Sequence, residues 1–266
     1  MRVTDENATI SLNQNKLNMS SLATLRNCFI LLANLVGFIA GSFDLAIAQP
    51  PLASCQNKNS LLTIGDTVIW QQIGKPTIFY QSGMTIDADG SPHAYHPQNI
   101  GLDDLKHSKN QGCWVGILTL NGQPIVQGKK DPAPGFYVST TTLFGRTKKN
   151  TDPLRFVNAE QIPYIVLPRE KTSAKIGDFA VVYNSKNGRI TNTIYADDGP
   201  QHLLDEGSIA LAKALGIDSN PKTGGINTGT MYVVFLNSGA GQGQLRLIED
   251  INKEVQKHFK AWGGMN

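Results

Sequence analysis

Punctuation constrains this chain more than any single motif does. Beyond residue 60, short runs rich in Val, Ile, Thr, Tyr and Phe are cut again and again by Gly, Pro, Asn or Asp. Such runs are too interrupted for long helices and suit strands on a pleated, half-buried surface. Strands are expected at 62–70, 76–82, 113–120, 124–128, 135–144, 163–168, 178–184, 190–196 and 231–237. Asn121-Gly122 and Asn187-Gly188 join neighbouring runs and supply the left-handed backbone that tight hairpins need. Helical spacing is confined to two places. Over 206–215, Ile209, Ala212 and Leu215 share a face and Gly216 stops the helix. Over 249–262, Ile251, Val255, His258, Phe259 and Trp262 recur before Gly263-Gly264. This pattern predicts a mainly β fold with two short helices, a closed barrel or a sandwich, in one domain over 49–266.

The first 48 residues read differently. Arg26 precedes the apolar run CFILLANLVGFIAG, and Ala46-Ile47-Ala48 follows before Gln49. A basic start, a short apolar centre and a small-x-small site are the parts of a secretory signal. The run from Cys28 to Ala40 is shorter than the roughly 20 residues that span a bilayer. The polar stretch before it is unusual in a leader, and a start at Met19 gives the ordinary form. Removal of the signal predicts a secreted or periplasmic protein, a monomer with no membrane association. Cys28 leaves with the signal, so Cys55 and Cys113 remain as an even pair in an oxidising compartment, a candidate disulfide.

Charge narrows the partners. The chain has 24 Lys+Arg against 21 Asp+Glu, a formal charge of +3, and no basic run longer than a pair. That argues against nucleic acid. The cysteines and the five histidines lack zinc-ligand spacing. NSGAGQGQ at 237–244 lacks the Gly-Lys-Ser/Thr ending of a phosphate loop. In TIDADGSPHAYHP, Asp87 and Asp89 form an Asp-x-Asp-Gly turn without the closing Glu of a calcium loop. Carboxylates there suit sugar hydroxyls or amines, with Tyr95 as a stacking surface. No metal or cofactor is called for.

One segment, IYADDGPQHLLDEGSIALAKALG, carries the strongest chemical pattern. Cleaving a glycosidic bond takes one protonated carboxyl to assist the leaving oxygen and one ionised carboxyl to activate water or attack carbon. Asp197 closes an expected strand and Glu206 opens an expected helix, so two carboxyls stand on rigid supports across a short loop. The plainer reading makes Asp197 and Asp198 turn residues before Gly199-Pro200 and Glu206 a first-turn acid favoured by the helix dipole. That dipole would pull Glu206 down and suit a base better than an acid. A hydrolytic triad from Ser208, His202 and Asp205 has nothing to support it beyond residue type.

Read in order, TIDADGSPHAYHP, IPYIVLP, GDFAVVYNSKNGRITNTIYADDGP, DEGSIALAKALG and MYVVFLNSG resemble glycoside hydrolase family 75, the fungal and bacterial chitosanases, over most of residues 76–240. The resemblance implies endo-hydrolysis of β-1,4-linked glucosamine polymers such as chitosan, with inversion and no cofactor. It also implies a compact β-barrel, the double-psi form among its possibilities. It carries the catalytic pair onto Asp197 and Glu206 and an acidic Asp-x-Asp-Gly segment onto Asp87 and Asp89; from the residues themselves, Asp87, Asp89, Tyr95 and Asp198 are expected on the substrate side, where carboxylates suit a polycation. Asp205 departs from the family pattern, which has Gly before the Glu. Two other functions compete: a non-catalytic polysaccharide-binding or wall-loosening barrel, since fold alone does not give function, and hydrolysis of another amino-sugar glycan.

Overall fold

The computed structural model describes residues 57–264, which fall within a compact unit spanning 46–266. The leader, its cleavage site and Cys55 lie outside the described residues. The chain forms β1 (Lys58–Ile64), β2 (Thr67–Gln72), β3 (Thr77–Asp87), four two-residue strands β4 (Lys109–Asn110), β5 (Cys113–Trp114), β6 (Thr119–Leu120) and β7 (Gln123–Pro124), then β8 (Tyr164–Pro168), β9 (Phe179–Asn184), β10 (Ile190–Gly199), β11 (Glu206–Ser208), α1 (Ile209–Leu215), β12 (Ile226–Phe235) and α2 (Ile248–Trp262).

Six strands close into a barrel in the order β3-β11-β8-β10-β9-β12, because β12 pairs back onto β3 from Phe235 opposite Thr77 to Ile226 opposite Met84. The fold is mainly β with two helices, as the punctuation predicts. Closure removes the open edges that a flat sheet of this length would expose. Two neighbouring pairs, β3 with β11 and β8 with β10, run parallel. The β1–β2 hairpin lies beside the first half of β3, at Ile78 and Phe79, and β11 takes over the same edge from Thr85.

Three expectations change in physical detail. The run at 62–70 is not one strand but the two arms of the β1–β2 hairpin, reversed at Gly65, whose φ of 55° only glycine adopts freely. Asn121 and Gly122 take φ of 50° and 75° and close a two-residue hairpin between β6 and β7. In the β9–β10 hairpin only Gly188 is left-handed, while the Asn187 side chain accepts from Arg189 N–H and donates to the Leu215 carbonyl.

Between β3 and β8 the expected strands 113–120, 124–128 and 135–144 shrink to short pairs and single bridges, Ile117 with Ser139, Val126 with Tyr137 and Phe144 with Phe156. Positive φ at Gln111, Gly112, Gly116 and Gly135 breaks each run before a ladder can extend. This segment lies over part of the barrel instead of joining it, and it supplies several walls of the site.

Both helices form where spacing predicts, with one shift of consequence. α1 begins at Ile209 because the Ser208 hydroxyl caps it, accepting from Leu211 N–H at 3.1 Å, and it ends at left-handed Gly216. Glu206 is therefore a strand residue three positions ahead of the helix. α2 packs on β9 and β10, burying Ile251, Val255, Phe259 and Trp262. Each such side chain contributes roughly 1.5–3 kcal/mol by leaving water. His258 stacks on Phe179 and Phe235, a packing role for the histidine on that face.

Candidate active site

Three strands and a bulge bring the two carboxyls together. Asp197 on β10 and Glu206 on β11 are both cross-strand partners of Val166, the middle residue of β8. Residues in register across adjacent strands share a face. With strands roughly 4.8 Å apart, their Cα atoms stand about 10 Å from each other. The register slips between Tyr195 and Asp197, so Ala196 is the extra residue of a β-bulge. Strict alternation would pair Ala196 with Val166 and turn Asp197 to the opposite face, beside Leu167. The bulge re-aims Asp197 onto the face of Glu206.

The face looks into a cleft of about 960 Å³ whose walls include Thr85, Asp87, Asp89, Asp103, Asp197 and Glu206. Gly199, two residues beyond Asp197 on the same face, makes room for the Glu206 carboxyl: a methyl there would meet Glu206 Oε2 and Val166 Cγ1 at 2.7 Å.

The two carboxyls have unlike surroundings. Asp197 is 7% exposed, and its Oδ1 accepts from Thr142 N–H at 2.9 Å, Thr142 Oγ1–H at 2.8 Å and Asp198 N–H at 2.9 Å. Burial and then the charge of Asp87 push Asp197 well above the usual carboxylate range, while those three donors pull it back. Glu206 has no hydrogen-bond donor among the described residues. Burial, then the charges of Asp87 and Asp205, push it up to about 8. The helix-dipole expectation for Glu206 fails because the helix starts three residues later.

Asp87 and Asp89 stand at the end of β3 and just past it. Asp87 Oδ1 accepts from Asp89 N–H at 2.8 Å, and its Oδ2 accepts from the Tyr164 hydroxyl at 3.0 Å. Burial pushes Asp87 to about 6, offset in part by those two donors. Asp89 accepts from the Tyr95 hydroxyl at 2.8 Å, and burial followed by the charges of Asp87 and Asp197 pushes it up. Gly116 lies against this carboxyl so closely that any Cβ would fall 2.2 Å from Asp89 Oδ2. Tyr95 is 3% exposed and sits behind Asp89. Its ring has no open face for a sugar, so its contact with the site is its hydroxyl, a correction to the stacking role expected of it.

Asp198, next to Asp197, faces the other way. Its Oδ2 accepts from Arg169 Nε at 2.7 Å and Nη2 at 2.6 Å, and its Oδ1 accepts from the Tyr195 hydroxyl. Asp205 fixes the base of β11, its carbonyl accepting from Thr85 N–H and Oγ1–H. The imagined triad does not assemble: Ser208 Oγ donates to the Ile162 carbonyl and accepts from Tyr164 N–H and Leu211 N–H. Of the tryptophans, Trp262 is core. Trp114 lies 5.8 Å from Tyr137 under the Lys109 ammonium, and Trp70 lies under Lys58. Cys113 is exposed on β5.

Sequence reasoning missed four residues of this neighbourhood. Thr142 and Tyr164 sat inside runs read only as strands. Asp103, 4% exposed, accepts from His107 Nδ1 at 2.7 Å on the cleft wall. The i, i+4 spacing of that pair was the only available signal. Gly199 was read as a turn residue, although its job is to leave space.

A closed β-barrel with clustered carboxyls on an open cleft, none of Asp87, Asp89, Asp197 and Glu206 ion-paired among the described residues, has the parts of a glycoside hydrolase. Those groups lack the counter-charge that a cationic sugar polymer carries. Residues 84–264 match the fungal chitosanase of glycosyl hydrolase group 75, and the chain belongs to that family. It is a chitosanase-like glycoside hydrolase, and membership of the family implies a polysaccharide substrate, chitosan. No curated protein matches the chain. Among the described residues, no helix is long and apolar enough to cross a membrane.

Proposed function

We propose that this is an exported, endo-acting chitosanase that cleaves β-1,4-glucosamine links with inversion, using Glu206 as general acid and Asp197 as general base. The observation that carries the division of labour is the contrast in hydrogen bonding. Three donors converge on Asp197 and favour its ionised form; none reaches Glu206, whose carboxyl keeps its proton up to about pH 8. Glu206 then donates to the glycosidic oxygen as the bond to the anomeric carbon breaks. Asp197 takes a proton from a water that attacks that carbon from the opposite face. The ammonium groups of the arriving polymer supply the positive charge that lets Asp197 ionise in a crowded anionic cleft.

Spacing supports inversion. Asp197 and Glu206 flank Val166 from two strands, with Cα atoms about 10 Å apart on one face, a separation that leaves room for a water between the carboxyls. Inverting enzymes leave about 6.5–9.5 Å for the water. Asp87 and Asp89 serve the substrate side of the cleft, with Tyr95 holding Asp89 and Asp198 shaping the rim through Arg169. The leader over 26–48 supports export, and Cys55 with Cys113 would close a disulfide in that compartment. Release of reducing ends from chitosan by the wild type, and its collapse in Asp197→Asn and Glu206→Gln, tests the pair; NMR of the first-formed anomer tests inversion. Full activity in both variants, or binding of chitosan without new reducing ends, would end the proposal.

A further inference from the structure

We propose that Asp87 is a positioning residue of this reaction, a third carboxyl whose charge fixes where the proton of the centre resides. The inference rests on the catalytic reading of Asp197 and Glu206 and goes beyond it.

The geometry comes from the strand register. Asp87 pairs with Ser208 on β11, and Thr85, two residues back on the same face of β3, pairs with Glu206. Asp87 thus stands one strand from Glu206 and diagonal to it, while Asp197 lies beyond β8 on the same cleft wall. The carboxylate is aimed by donors on both oxygens, Asp89 N–H and the hydroxyl of fully buried Tyr164. The titratable groups coupled to it are acids and phenols, Asp89 from its own loop, Tyr164 from β8, Asp197 from β10, Glu206 from β11, and Asp103 and Tyr95 from the covering segment; of the basic groups on the cleft wall, His107 is engaged by Asp103 and Lys222 stands on the loop before β12. No Lys, Arg or His among the described residues is ion-paired with it.

Like charges in one low-dielectric cleft cannot all ionise. Asp87 is the charge common to Asp197, Glu206 and Asp89, the leading charge acting on each of them after burial. An ionised Asp87 raises both working carboxyls, and because three donors favour the ionised form of Asp197 and none reaches Glu206, the retained proton resides on Glu206, where the leaving oxygen needs it.

The test is the pH dependence of chitosan-oligomer hydrolysis by Asp87→Asn and Asp87→Glu, beside the wild type. Removing a negative neighbour eases ionisation of both working carboxyls. The acid and alkaline limbs of the Asp87→Asn profile should therefore both move to lower pH by about one unit. Asp87→Glu should return them toward the wild-type positions. A lower rate with the limbs unmoved would mean that Asp87 only supports the fold, and would overturn the inference. If Asp87→Asn does not fold, carboxyl ¹³C titration of the wild type decides: the Glu206 resonance should show a second step following Asp87, and a single step refutes it. Wild type without hydrolytic activity would instead sink the chitosanase reading itself.

Discussion

Replacing Glu206 by Gln should abolish catalysis and stabilise the protein at the same time. The carboxyl is held at about 8 against an ordinary value of 4.5. A group raised in the folded state binds its proton more tightly there than in the unfolded chain. Its favourable contribution is fully present below about pH 4.5 and is lost as pH rises through about 8. At roughly 1.4 kcal/mol for each pH unit the ceiling on that loss is about 5 kcal/mol. Glu206 borders an open cleft, and solvent on that side brings the expected gain from Glu206→Gln to about 2 kcal/mol at pH 8.5, or roughly 4–8 °C in melting temperature. At pH 4 the two proteins should melt together. On the proposed role of Glu206 as general acid, its loss should lower kcat by about 10²–10⁴. Thermal unfolding from pH 4 to 8.5, with reducing-end assays on the same samples, checks both. A melting-temperature difference that is absent or equal at both ends of the range would refute the reasoning, as would an active variant.

Thr142→Val removes the hydroxyl donor to Asp197 Oδ1; the acid limb of the pH–rate profile should move to higher pH, with a rate loss of about tenfold. Gly199→Ala sets a methyl 2.7 Å from Glu206 Oε2, so kcat/KM should fall by about 10² while stability drops by only about 1–3 kcal/mol, read by kinetics and melting. Asp178, 1% exposed, accepts from the backbone N–H groups of Lys175, Asn237, Ser238 and Gly239. Asp178→Ala should cost about 2–4 kcal/mol by leaving those donors unmet, visible as a lower melting temperature with unchanged pH dependence of the surviving activity.

Asp198 and Asp197 show how far a motif reaches. The sequence places both at a strand end, and only the bulge at Ala196 separates them in space, turning one to Glu206 and the other to Arg169 and Tyr195. Thr142 lies 55 residues from Asp197 in sequence and belongs to a stretch that reads as an ordinary strand. Its role follows from where that stretch is laid, which no local pattern encodes.

What the sequence by itself determined is the class of fold and the family, together with Asp197 and Glu206 as the candidate acids. Periodicity and turn residues depend on backbone conformations that a few neighbouring residues set, so the short strands, the Asn121-Gly122 hairpin and the two helices were legible. Asp197 and Glu206 were legible as a candidate pair, but their arrangement in space was not. Their face, separation and protonation depend on strand register, on a one-residue bulge, on the space at Gly199 and on burial beside Asp87. These are properties of segments brought together only when the barrel closes, because side-chain orientation in a sheet changes with every one-residue slip and a carboxyl's proton affinity with every neighbour it acquires.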